Sequence, residues 1–328
     1  MLPETKKYSV SSEVISNLLK THYSSLMQAF YESQSFFLSG IYKRYGSIET
    51  ANIILCFAKS THLEIIRQRE KDLNFDVSLE KFWKNFSSIT IPSEKITEVV
   101  KATGIPKETV RRKIKNLQDS GFLIKDKKNK GYYWNLSQKE KKAYFDIIHT
   151  ETKNLSSFIV KIILALNVFP NKESYDLVNK EIESQFSFYW YHYLSCQLDW
   201  LRYWQLKLKD NDLLLITLQT MIPTLRYIDK NPKEIKLDNV FKIIGSIKKN
   251  YFENCSVSAT SVSDVTGIPR ATCIRKLDKL VALGLLTRNC ISKRYFINQS
   301  VEERTKNIIS SENVSFTIKN FSNYIAII

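Results

Sequence analysis

Residues 103–137 read TGIPKETVRRKIKNLQDSGFLIKDKKNKGYYWNLS, and residues 266–300 read TGIPRATCIRKLDKLVALGLLTRNCISKRYFINQS. Laid over one another without a gap, at an offset of 163, the two strings share 14 of 35 residues. The identities include Thr103/Thr266, Gly104/Gly267, Ile105/Ile268, Pro106/Pro269, Thr109/Thr272, Arg112/Arg275, Lys113/Lys276, Leu117/Leu280 and Gly121/Gly284. An internal repeat at fixed offset sets the unit of architecture before any fold is assigned.

Within copy one, Leu79, Phe82, Trp83 and Phe86 follow the i, i+3, i+4, i+7 spacing of an amphipathic helix. Ile89-Thr90-Ile91 reads as a short extended run ending at Pro92. Ser93 is the expected cap of a second helix that turns Ile96, Val99 and Val100 inward. Gly104 breaks it, and Pro106 starts a third helix at the position where a missing N–H costs nothing. On that helix Val110, Ile114 and Leu117 form the inward stripe. The opposite face carries Glu108, Arg112, Lys115, Asn116 and Asp119, flanked by Lys107 and Arg111. Two extended runs starting at Phe122 and Tyr132 then enclose residues 125–131, a hairpin loop too charged to be core.

This order resembles the winged helix-turn-helix domain of bacterial transcriptional regulators of the MarR and IclR types. The resemblance covers 75–137 and 238–300 and rests on Thr-Gly-Ile-Pro, the Arg-Lys pair, Leu117/Leu280 and Gly121/Gly284. It implies a mainly α fold with tandem winged helix-turn-helix domains, small β-hairpin wings and joining helical segments. It also implies that the third helix enters the major groove of duplex DNA while the wing touches backbone or minor groove.

Charge distribution agrees with that implication. The chain carries 49 Lys and Arg against 33 Asp and Glu, a net of +16. Residues 91–137 hold 11 basic and 5 acidic groups, and residues 254–300 hold 7 and 2. The two units therefore carry +6 and +5 of the excess, which suits a polyanionic partner. In copy one the candidate DNA contacts are Lys107, Thr109, Arg111, Arg112 and Lys115 on the helix, with Lys127, Lys128 and Lys130 in the wing. In copy two they are Arg270, Thr272, Arg275 and Lys276, with Lys293 and Arg294. Ile274 and Asp278 replace Arg111 and Lys115 there, so copy two is expected to bind more weakly.

The expected division is a helical segment over 1–74, a winged unit over 75–140, an aromatic-rich helical segment over 141–237, a second winged unit over 238–300 and a tail over 301–328. Upstream of the units, Ile53 and Leu55 match Ile216 and Leu218 at the same offset, whereas Leu38-Ser39 matches Leu194-Ser195 only with a seven-residue insertion. Residues 186–204 carry nine aromatics, which suits core, self-association or an effector pocket. Five cysteines without a Cys-x-x-Cys pair, and four scattered histidines, point to a reducing compartment and to no metal or other cofactor. No signal-peptide core, membrane span or catalytic motif is present, so a cytoplasmic, non-enzymatic protein is expected. The expected partner is double-stranded DNA, with an unidentified small-molecule effector and no membrane. The alternatives are a plasmid- or phage-type replication initiator and a protein-interaction scaffold.

Overall fold

The computed structural model describes residues 10–136, 138–166, 174–230, 235–247, 254–298, 300 and 310–328. Three helices lead: α1 (Ser12–Thr21), α2 (Tyr23–Tyr45) and α3 (Ile48–Lys71). Then come α4 (Phe82–Ser88), α5 (Ile96–Thr103), α6 (Lys107–Asp119), the antiparallel hairpin β1 (Leu123–Lys125) and β2 (Tyr132–Trp134), and α7 (Gln138–Ala165). The series repeats as α8 (Ser174–Ser184), α9 (Phe186–Leu208), α10 (Asn211–Asp229), α11 (Leu237–Ser246), α12 (Ala259–Thr266) and α13 (Arg270–Ala282). The hairpin β3 (Leu286–Arg288) and β4 (Tyr295–Ile297) and a last helix, α14 (Ser311–Ile325), complete it. The fold is mainly helical, and the strands among the described residues form two small hairpins.

The offset of 163 runs through nearly the whole chain. It carries both ends of α2 onto α9, of α5 onto α12, of α6 onto α13, and of each strand onto its counterpart. The seven-residue insertion expected near Leu194 is therefore absent: Leu38 corresponds to Leu201, and the register is unbroken. Local chemistry repeats with it. Ser47 and Asp210 cap α3 and α10 with their side chains. Gly46 and Lys209, both left-handed, end α2 and α9.

The two halves interlock. Helix α2 packs on α10 and α3 on α9; α1 packs on α14 and α7 on α8; α5 packs on α9 and α12 on α2. Each of these six contacts has its mate with the halves exchanged, which is the pattern of a two-fold axis. The axis itself is marked by Gln34 and Gln197, equivalent residues that meet each other: the Gln197 Nε2 donates to Gln34 Oε1 at 2.9 Å, and both are buried. The long helices are buried on most of their surface because each half covers the other.

That arrangement settles the aromatic segment. Trp200 and Phe321 meet edge to face, Phe37 and Tyr193 likewise, and Tyr203 stacks on Phe316. Helix α9 is thus largely core, covered by α2, α3 and α14, with Phe188 and Leu206 left as its exposed large apolar side chains. Within the tail, α14 packs back on α1 and α9. No helix among the described residues is long and apolar enough to cross a membrane.

Candidate nucleic-acid interface

The shared Thr-Gly-Ile-Pro string builds a turn. Thr103 Oγ1 donates to the Val99 carbonyl at 2.8 Å and accepts from Ile105 N–H at 3.2 Å. Thr266 makes the same pair with Val262 and Ile268. Gly104 and Gly267 take φ of +69° and +76°, where a side chain would be strained. Both turns dock on the opposite half's long helix, since a Cβ on Gly104 would meet Arg202 and one on Gly267 would lie 2.6 Å from Lys43 Cγ. Ile105 and Ile268 are fully buried, and Pro106 and Pro269 precede α6 and α13.

The cap of α5 is Lys95, whose N–H donates to the Glu98 carboxylate at 2.7 Å. Ser93 does not cap it, contrary to expectation. Ile89 has extended backbone as expected, but the residue that pairs with the hairpin is Glu94, bridged to Tyr132. Gly131 is required by this close approach, because a Cβ there would fall 2.9 Å from the Glu94 carbonyl oxygen.

On α6, Val110, Ile114 and Leu117 are buried as expected, and Lys107, Arg111, Arg112 and Lys115 are exposed. Lys127, Lys128 and Lys130 extend this basic surface along the hairpin. Arg111 pairs with Glu108 at 3.6 Å, both exposed, an interaction worth little in water. In copy two Arg270, Arg275 and Lys293 are exposed, while Thr109 and its equivalent Thr272 are half-buried. Cys273 lies on the inward stripe at the place of Val110, and burial pushes its thiol up.

Two expected contacts point elsewhere. Lys276 turns toward the start of α10, where Nζ meets Asp210 at 2.6 Å and Asp212 at 3.3 Å with only 12% of the side chain exposed. Its equivalent Lys113 does the same at α3, donating to Ser47 Oγ and Thr50 Oγ1 at 3.0 Å each. Both sit beside the inward stripe, so their charge ties the helix to the body. Arg294 donates to Ser256 Oγ and to the Ser256 carbonyl, both at 2.7 Å, which binds the second hairpin to the chain before α12.

Asp126, expected in a wholly solvated loop, is buried. Its carboxylate accepts from Lys128 N–H at 2.9 Å, Asn129 N–H at 3.2 Å and Asn129 Nδ2 at 2.8 Å. Burial opposes its charge, but the hydrogen bonds it accepts, those from Asn129 foremost, prevail and hold the carboxyl well below the usual range. Asn289 fills the same role for the other hairpin, accepting from Ile291 and Ser292 N–H. Lys130 and Lys293 both take φ of +56°, so the two loops share one backbone shape.

The surfaces differ in chemistry. Asp278, where copy one has Lys115, pairs with Arg288 at 3.4 Å and accepts from Tyr295 OH at 2.8 Å. Ile291, 94% exposed, stands at the tip where copy one has Lys128. Lys125, exposed on β1, adds to the copy-one surface and was readable as one more basic group beside the loop. No protein-family model, curated protein or solved structure matches this chain.

Proposed function

We propose that this chain is a sequence-specific double-stranded DNA-binding transcriptional regulator whose two winged helix-turn-helix units act as a dimer built into one polypeptide. The observation that carries the reading is the exposed pair Arg112 and Arg275, at equivalent outward positions of α6 and α13. A helix fits the major groove, where arginine meets phosphates or the acceptor edge of guanine. In this reading the two hairpins act as the wings. Reciprocal packing of the halves favours recognition helices related by rotation, so the proposed site is an imperfect inverted repeat, not a direct one.

Copy one dominates the proposed interface. Its helix and wing expose Lys107, Arg111, Arg112, Lys115, Lys127, Lys128 and Lys130, whereas copy two has Ile274 and Asp278 in place of Arg111 and Lys115, turns Arg294 to an internal contact and exposes Ile291. Arg112→Ala is expected to cost about 1–3 kcal/mol of binding if it reads a base, and Arg275→Ala less. Fluorescence anisotropy on a selected duplex tests this, with circular dichroism as the folding control. A larger loss from Arg275→Ala would overturn the ranking, and no loss from either would remove these helices from the interface.

A further inference from the structure

We infer that the groove between α2, α10 and α12 is a binding site for a small organic carboxylate with an apolar body. The groove encloses about 670 Å³, within the range of roughly 300–1,000 Å³ that small-molecule sites occupy. Its floor is the face of α2 carrying Ser35, Ser39 and Gly40, and its apolar walls include Phe36, Ile222 and Val265. Phe36 and Val265, 48% and 50% exposed, supply apolar surface along it.

The groove lies between the halves, with α2 from one and α10 and α12 from the other, and the place related to it by exchange of the halves, between α9, α3 and α5, is built differently. At the equivalent places of α9, Arg202 and Tyr203 stand where α2 has Ser39 and Gly40, and the Arg202 stem lies against Gly104. Ser60 bonds to Glu94 where copy two has Pro223 and Val257. Divergence after duplication thus lined the two symmetry-related places differently, with bulkier side chains opposite the open groove.

The polar groups define the ligand. Ser39 is 94% buried by its 6% exposure, lines the groove, and its hydroxyl has no hydrogen-bond partner. An unpartnered buried hydroxyl is costly unless something accepts from it. Gln219 is already engaged, donating to Ser35 Oγ at 2.5 Å. Lys43, one helical turn from Ser39 on the same face, is exposed at that end. At the other end Arg226 is matched by Glu32 at 2.7 Å. One hydroxyl donor beside one ammonium selects a carboxylate head, with the apolar body lying toward Phe36 and Val265. The Lys43 stem also packs on Gly267, the turn of copy two, so an occupant touches the element that sets how that unit docks. A regulatory consequence rests on the DNA reading; the binding itself does not.

Calorimetry on the full chain, without DNA, tests the site with octanoate, octanol and octylamine. Octanoate should bind about 3- to 5-fold more tightly than octanol, the worth of one exposed ion pair, and octylamine more weakly still. Lys43→Gln should remove that preference. Gly40→Leu should weaken octanoate at least about tenfold, because a Cβ there meets nothing within 4 Å and the side chain fills the groove without displacing protein. Ser39→Ala, which removes the donor without adding bulk, should weaken octanoate more than octanol. Thermal melting of each variant confirms folding. Unchanged octanoate binding by folded Gly40→Leu, equal binding of all three probes, or no octanoate binding by the wild-type chain would overturn the inference. Failure of DNA binding would leave these results standing.

Discussion

Lys276→Ala should destabilise the fold and leave DNA affinity nearly unchanged, although position 276 lies on the basic helix of copy two. Lys276 Nζ is held between Asp210 and Asp212, whose side chains are 25% and 15% exposed. Removing one partner of a fully buried pair costs about 3–5 kcal/mol, and an exposed pair about 0–1. The site lies between these limits. After truncation the carboxylates keep other donors: Asp212 accepts from Ile48 N–H at 3.0 Å, and Asp210 from Asp212 N–H at 3.0 Å. A cost of about 2 kcal/mol follows. Unfolding entropy of about 2.1 cal/mol/K per residue over this chain gives roughly 0.7 kcal/mol/K, so Tm should drop by about 3 °C. Melting followed by circular dichroism, beside an anisotropy titration at several salt concentrations, makes the comparison. Arg275→Ala should show the opposite pattern. If Lys276→Ala left Tm unchanged and lowered both affinity and salt slope, the ammonium would face DNA and this reasoning would fail.

Three further outcomes follow from the interlocked halves and their surfaces. Gln34→Leu or Gln197→Leu alone should cost about 1–3 kcal/mol, whereas the double change should be nearly neutral; additive losses in a denaturation cycle would contradict a paired contact on the axis. Burial raises the Glu151 carboxyl from 4.5 to about 8. The folded chain then keeps a proton that the unfolded chain releases, so this group's contribution falls as pH rises between those values and is level above. Glu151→Gln should flatten the fall of Tm between pH 5 and 8, and equal slopes in both proteins would refute the assignment. Binding of the wild-type protein to duplex DNA should weaken by about 10³–10⁵ between 50 and 200 mM salt if roughly 6–10 phosphates are contacted; a flat response in the same titration would exclude the electrostatic interface.

Elements with their own local chemistry were legible from the sequence. Gly104 and Pro106 bracket α6, and its inward stripe of Val110, Ile114 and Leu117 is buried. The extent of the duplication was harder to read, because α2 and α9 preserve burial more than identity: Phe37 corresponds to Trp200 and Ile41 to Trp204. Gln34/Gln197 and Leu38/Leu201 keep the same offset and were the available signal. Lys276 looked like a DNA contact because charge on a basic helix suggests solvent. Its place three residues after Cys273 and four before Leu280 puts it beside the buried stripe. The acceptors at Asp210 and Asp212 lie 66 and 64 residues away, and no local pattern announces them. Asp126 was hidden for a different reason: a carboxylate among lysines reads as solvated, and its bonds to Lys128 N–H and Asn129 exist only once the loop has taken its shape.

Selection of bound sequences from a random duplex pool, with the full chain as bait, bears most directly on the central claim. The account predicts one enriched motif made of two similar but unequal half-sites in inverted orientation. Their centres should be separated by about one helical turn, roughly 10 bp, or a multiple of it, with the better-defined half assigned to α6 by its change in Arg112→Ala. Half-sites in direct orientation would contradict the rotational relation of the two units, and a pool without any enriched motif would contradict sequence-specific recognition itself.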